Sequence, residues 1–152
     1  MIGLPAKERA MSETVAEVTI FERIGGAETV DRLVEAFYRR MDTELDARRI
    51  RLMHADDLSH TKAVLKRYLT EWLGGPKLYS VEKGHPRLRQ RHMGFAIASP
   101  DAEAWMLCMR GAMAETIADE AVRSHLDDTL TKLAYWMRNQ PDAPEGTQTW
   151  KP

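Results

Sequence analysis

The sequence has one cysteine, no excess of either charge and no long apolar run, and each shortage excludes a class of protein. Because Cys108 is the only cysteine in 152 residues, no internal disulfide can form, and a reducing environment is expected. The 22 Lys and Arg against 23 Asp and Glu give a net charge of −1 at pH 7, which does not indicate a nucleic-acid partner. No apolar stretch is long enough to cross a bilayer, and charges at residues 7–9 interrupt anything like a signal sequence. We therefore expect a single-domain cytoplasmic protein.

Strand-like alternation of apolar and polar residues is also almost absent, and helical periodicity takes its place. The clearest apolar stripe has helical spacing and consists of Val30, Leu33, Val34, Phe37, Tyr38 and Met41. A second stripe covers residues 61–72 and ends at a Gly-Gly-Pro motif at 74–76. A Ser-Pro-Asp motif at 99–101 predicts the start of a third helix, with the serine hydroxyl as its cap. A fourth stripe covers residues 122–137. The sequence therefore predicts an all-α fold.

The two ends of the chain lack this periodicity. Residues 1–17 are interpreted as an N-terminal extension, residues 18–138 as the folded domain, and residues 139–152, which are rich in proline, as a tail. The segment between residues 76 and 100 is different again, because glycine, histidine and arginine are common in it and only a short helix, around 87–91, is predicted there. Two pairs of long helices do not need so particular a connection. We therefore expect another molecule to dock against the segment between residues 76 and 100.

The five histidines, at positions 54, 60, 85, 92 and 125, do not form a conventional metal cage. No pair has the spacing of a zinc site, and a single cysteine excludes thiolate cages. A haem iron needs only one protein histidine, since the porphyrin supplies four donors. His92 is the best candidate, because the Leu88 carbonyl, four residues back on a helix, can accept a hydrogen bond from its second ring nitrogen. Spacing alone favours the alternative, a histidine in a turn that binds no metal.

Two aromatic side chains with polar tips lie on apolar stripes. Tyr38 and Trp105 either present their donors to a pocket or are core aromatics whose tips reach backbone carbonyls. The residues by themselves favour the core interpretation. His54 precedes a short polar stretch and is expected in a loop.

Several motifs nevertheless occur together in a fixed order. They are Phe37-Tyr38, the Trp-Leu-Gly-Gly-Pro string at 72–76, Leu-Tyr-Ser at 78–80, Gly-His-Pro-Arg-Leu-Arg at 84–89, Arg91-His92, Phe95, and Ala104-Trp105 followed by Cys108-Met109. In this combination the chain resembles the group II truncated haemoglobins, compact globins built as a two-over-two helical sandwich around haem b. The resemblance covers residues 18–138.

The resemblance implies a role for each residue of a haem site. His92 is expected to ligate the iron, and Tyr38, His54 and Trp105 are expected to line the distal side, where they form a hydrogen-bond network around a bound gas. Tyr79 and Arg91 are expected to meet the haem propionates. The remaining residues expected to line the haem are Thr61, Leu65, Tyr68, Leu69, Phe95, Ile97 and Met109.

The chain departs from the family at two positions. Gly94 stands where relatives usually have proline, which leaves the loop after His92 less stiff. Val64 stands where some relatives place an arginine, so one expected propionate contact is missing.

Three functions follow from these residues. The first is reversible binding of oxygen and other diatomic gases, by which the protein would store, transport or scavenge oxygen. The second is a haem enzyme with peroxidase or nitric-oxide-detoxifying activity; the latter would require an external electron-donating reductase. The third is a haem-free helical interaction module. No nucleic-acid or membrane partner is expected, and the chain is expected to be a monomer or a homodimer.

Overall fold

The computed structural model describes residues 18–142, so the predicted extension at 1–17 and residues 143–152 of the predicted tail lie outside the described residues. Across 18–142 the secondary structure is helical and contains no strand, which confirms the predicted all-α class. None of the described helices combines the length and apolar character needed to span a membrane. The helices are α1 (Ile20–Arg23), α2 (Ala27–Thr43), α3 (Arg48–Leu52), α4 (Ser59–Trp72), α5 (Leu78–Lys83), α6 (Leu88–Arg91), α7 (Ser99–Thr116) and α8 (Glu120–Trp136), with a 3₁₀ turn at Leu45–Ala47.

The four long helices form two layers. Helix α2 packs against α4 and against α7, and α7 packs against α8. The first predicted stripe is the buried face of α2, which contains Val30, Leu33, Val34, Phe37, Tyr38 and Met41. Burying one such apolar side chain stabilises the fold by roughly 1.5–3 kcal/mol, so this face anchors the core. Methionines of α7 fill the space opposite it.

The Gly-Gly-Pro motif ends α4 as predicted, since the helix stops at Trp72. The structure shows a second reason for the glycines, which is the docking of α1. The Phe21 amide donates to the Leu73 carbonyl at 2.9 Å, and a Cβ added at Gly75 would lie 2.9 Å from the Phe21 ring. Only a residue without a side chain allows this approach.

Helix α5 was not predicted, because the segment between 76 and 100 was expected to hold only one short helix. The start of α5 is stabilised by a residue outside it. Glu71 Oε1 accepts hydrogen bonds from the amides of Tyr79 at 3.1 Å and Ser80 at 2.8 Å. These are amides that the first turn of a helix cannot satisfy internally. The cap therefore comes from the end of α4, where no local motif indicates it.

Helix α7 begins at Ser99 as predicted, but the serine hydroxyl is not its cap. The cap residue is Ala98, and its amide donates to Asp101 Oδ2 at 2.9 Å. The Ser99 hydroxyl instead donates to Asp142 Oδ2 at 2.8 Å. The prediction of a serine cap was wrong because Ser99 is already the first helical residue, one position past the cap, and its hydroxyl binds Asp142, 43 residues further along the chain.

Candidate functional site

A cavity of about 580 Å³ lies among the helices, and every helix from α2 to α8 contributes to its lining. This volume is in the range of small-molecule and cofactor sites, about 300–1,000 Å³. Most of the wall is apolar, with a few polar side chains that converge on the interior. Twelve of the predicted site residues line it: Tyr38, His54, Thr61, Leu65, Tyr68, Leu69, Tyr79, Arg91, His92, Phe95, Ile97 and Trp105.

Met109 is the exception among the predicted lining residues. It has no exposed surface and belongs to the core rather than to the cavity wall. It lies one helical turn beyond Trp105 on α7, within the part of that helix that packs against α2. The structure therefore does not place Met109 with the other residues predicted to line the site.

His92 closes the C-terminal end of α6. Its Nδ1 lies 2.6 Å from the Leu88 carbonyl oxygen, as the sequence spacing predicted. Because a carbonyl only accepts, Nδ1 carries the proton and donates. The other ring nitrogen, Nε2, then keeps its lone pair, which is the form of imidazole that ligates a metal.

Tyr38 and His54 form a second polar group on the wall. Their rings meet edge to face with centroids 5.7 Å apart. His54 Nδ1 lies 2.7 Å from the Ile50 carbonyl oxygen, so this ring also donates from Nδ1 and keeps a lone pair on Nε2. Burial lowers the pKa of His54 and raises the pKa of Tyr38 well above its usual value. At neutral pH the pair therefore consists of a phenol donor and a neutral imidazole acceptor.

Trp105 is half-buried on α7 and packs edge to face on Phe37, with the ring centroids 5.1 Å apart. Within residues 18–142, neither the Trp105 indole N–H nor the Tyr38 hydroxyl has a hydrogen-bond partner, although both side chains line the cavity. Two donors thus lack a protein acceptor beside the same space. In the core interpretation, each of these donors would instead be hydrogen bonded to a backbone carbonyl.

Cationic and further phenolic side chains also line the cavity. The Tyr79 and Tyr68 rings meet edge to face with centroids 5.6 Å apart, and burial raises the pKa of Tyr68 to about 12. Arg91 uses its Nε to donate to the Pro86 carbonyl at 2.8 Å, which leaves its terminal nitrogens for another partner. Lys83 also lines the cavity. Sequence analysis missed Lys83 because α5, where it lies one turn after Tyr79, was not predicted.

Comparison with known proteins identifies the family of this chain. The model of the bacterial-like globin family matches residues 19–139. The chain belongs to this family. It is also 37% identical over 118 residues to a group 2 truncated hemoglobin of Bacillus subtilis, an alignment that covers 78% of this chain and 87% of the relative.

Solved structures place the globin in the same group. The group II 2-on-2 hemoglobin of Agrobacterium tumefaciens has a TM-score of 0.80 and 42% identity, over 82% of this chain and 97% of that one. The truncated hemoglobin of the Antarctic bacterium Pseudoalteromonas haloplanktis has a TM-score of 0.79 and 33% identity, over 81% of this chain and 99% of that one. The predicted family and the two-over-two fold are confirmed.

Membership of the globin family implies a haem cofactor, and the residues of the cavity fit one. No cluster of three or more histidine, cysteine or carboxylate ligands occurs between residues 18 and 142, so a bare metal ion has no protein cage there. The site offers instead the single histidine lone pairs of His92 and His54, on a largely apolar wall. A macrocycle that brings four of its own donors needs only this.

Proposed function

We propose that this globin binds oxygen and other diatomic gases reversibly, on a haem b whose iron is ligated by His92. When bound, the haem supplies an iron with one coordination position open to a gas. The observation that carries the proposal is the His92 Nε2 lone pair, fixed by the Leu88 carbonyl, in a cavity that also holds the unpartnered donors of Tyr38 and Trp105.

His92 is suited to this role by its second hydrogen bond. The bond from Nδ1 to the Leu88 carbonyl selects the tautomer and limits rotation of the ring. It also makes Nε2 more basic, and such outer partners are worth about 10- to 100-fold in metal affinity.

Trp105, Tyr38 and His54 would control how tightly a gas is held. An indole N–H only donates, so Trp105 would stabilise a gas that carries negative charge. The Tyr38 hydroxyl donates either to the gas or to His54 Nε2. Because neutral His54 presents an acceptor, the second arrangement would orient the tyrosine. Donors in a dry pocket are electrostatically stronger than in water.

Arg91, Lys83 and Tyr79 would hold the two haem propionates. A guanidinium forms a forked pair with a carboxylate, whereas an ammonium acts as a point charge. Lys83 offers a cation to a site where Val64 replaces the arginine of some relatives.

A second candidate function is peroxidase chemistry at the same site. It is favoured by His54 Nε2, a neutral imidazole acceptor next to the Tyr38 hydroxyl, because such a group accepts a proton from a peroxide. Nitric-oxide detoxification is a further candidate that would require an external electron-donating reductase. Steady-state turnover of peroxide or nitric oxide by wild type and His54→Gln, with free haem as reference, distinguishes these activities from gas binding.

Replacement of the ligand tests the proposal directly. We expect His92→Gly to lose haem or bind it weakly, and added imidazole to restore part of the ferrous absorption spectrum. His125→Gly is the matched control, since His125 is exposed on α8 away from the cavity. A His92→Gly protein with an unchanged ferrous spectrum would mean that another group ligates the iron.

A further inference from the structure

We propose that Asn139 is a positioning residue for His92, because its side-chain amide fixes the loop that leaves the histidine. The inference rests on the proposed function, in which His92 ligates the haem iron. Asn139 lies three residues beyond the end of α8 and 47 residues from His92 in the sequence.

The loop from Met93 to Ala98 joins α6 to α7, and Ile97 is its one buried side chain. Met93 is 54% exposed and Phe95 is 42% exposed, and Gly94 brings no side chain to the loop. The preceding helix, α6, has only four residues, and so short a helix is not stable alone. The orientation of His92 at its end therefore depends on contacts from outside the helix, which are those of the following loop and those of Arg89 with the carbonyls of Trp136 and Arg138.

The Asn139 side-chain amide bonds to His92 and to two positions of this loop, through both its nitrogen and its oxygen. Nδ2 donates to the His92 carbonyl at 3.2 Å and to the Phe95 carbonyl at 2.8 Å. Oδ1 accepts from the Ile97 amide at 2.9 Å. The side chain thus needs two donor hydrogens and one acceptor in fixed positions, which asparagine provides in a single planar group.

The backbone next to this side chain adds to the same contact. The amides of Asn139 and Gln140 donate to the Ile97 carbonyl at 2.8 Å and 3.0 Å. On another side, the Arg49 guanidinium donates to the Ala96 carbonyl at 3.0 Å and pairs with Asp101 at 2.8 Å. The loop is therefore held between α3 and the residues that follow α8. Of these contacts, the Asn139 amide is the one that reaches the carbonyl of His92 itself.

Asn139→Asp tests this role with little change in shape. A carboxylate keeps the acceptor for Ile97, but it loses both donors and places negative charge against two carbonyl oxygens. The matched control is Asp142→Ala, which removes a side chain from the same segment whose bonds go to Ser99 rather than to the loop. Asn139→Ala is the second variant, since it removes the contact without adding charge.

Three measurements are made on the haem-loaded full chain. Resonance Raman of the ferrous, ligand-free protein gives the iron–histidine stretching band, transfer to excess apomyoglobin gives the rate of haem loss, and hydrogen exchange gives the protection of residues 93–98. We expect Asn139→Asp to shift or broaden the band, to lose haem about tenfold faster and to exchange about tenfold faster in the loop. The Asp142→Ala protein should match wild type in the band and in loop exchange.

The possible results separate the two proposals. A wild-type protein without an iron–histidine band would overturn the proposed function and, with it, the positioning role. A normal wild-type band that both Asn139 variants leave unchanged, with wild-type haem loss, would overturn the positioning role alone. If Asn139→Ala fails to fold, Asn139→Asp still decides, and a circular-dichroism spectrum equal to wild type shows that any change is local.

Discussion

Trp105 is the residue whose contribution to gas binding is most directly measurable. If its indole donates to bound oxygen, Trp105→Phe removes one charge-assisted hydrogen bond and keeps most of the volume. Such a bond is worth roughly 1.5–3 kcal/mol, so oxygen should dissociate about ten- to a hundredfold faster. Carbon monoxide is a poorer acceptor, and its dissociation should change less. Stopped-flow and flash-photolysis rates for the two gases provide the measurement.

The control for this variant is Trp136→Phe, the same substitution at a tryptophan that is 63% exposed on α8. Equal changes in the oxygen and carbon monoxide rates would mean that Trp105 only obstructs the path of the gas. The double variant with Tyr38→Phe should be non-additive, since two donors that share one ligand are coupled.

Residues of the site differ in how far the sequence could reveal them. His92 and its Leu88 partner are four residues apart on one helix, so local spacing was sufficient to predict their bond. Tyr38 and Trp105 lie on helical stripes, but whether their tips met a carbonyl or a cavity depended on packing between α2 and α7. Lys83 could not be assigned, because its helix has no local signal.

Helix α5 is an element whose start depends on a side chain of another helix. Removal of the carboxylate in Glu71→Ala leaves the amides of Tyr79 and Ser80 without their acceptor. We expect the amides of α5 to exchange roughly tenfold faster at pH 7. Glu82→Ala is the control, since Glu82 also lies on α5 but pairs at 3.0 Å with Arg67 of α4 instead of capping the helix. Unchanged exchange in α5 would show that this cap does not stabilise the helix.

The stability that the Glu71 carboxylate contributes should depend on pH, with a sign set by the direction of its pKa shift. Hydrogen bonds from the Ser80 amide and hydroxyl, followed by that from Tyr79, lower the pKa of Glu71 from its usual 4.5. A carboxyl with a depressed folded pKa adds stability above its unfolded pKa and loses it as the pH falls through the folded value. The difference in the free energy of unfolding between wild type and Glu71→Ala should therefore be largest at pH 7 and shrink as the pH falls below 4.5. A difference in the free energy of unfolding that stays constant down to pH 3 would show that it does not come from the charged Glu71 carboxylate.

At the scale of the whole molecule, the predicted tail does not separate cleanly from the globin body. Asn139 hydrogen bonds to the segment between α6 and α7, and Asp142 hydrogen bonds to the start of α7. We propose that a chain shortened to residues 18–142 binds haem with an unchanged spectrum, and that one ending at residue 138 loses haem faster. Absorption spectra and haem-transfer rates measure both. Loss of haem binding by the 18–142 chain would mean that residues outside this range support the site.

Local sequence was enough to predict the helical stripes, the Gly-Gly-Pro end of α4 and the histidine that closes α6, because each depends on spacings of a few residues along one helix. The remaining contacts form only in the folded chain. Glu71 caps a helix eight and nine residues away, and Asn139 binds Ile97 from 42 residues away. A hydrogen bond between distant residues exists only once the chain has folded, since neither partner carries a local pattern that specifies the other. The motifs were therefore enough to predict the family of the globin, but not the contacts that hold its candidate iron ligand.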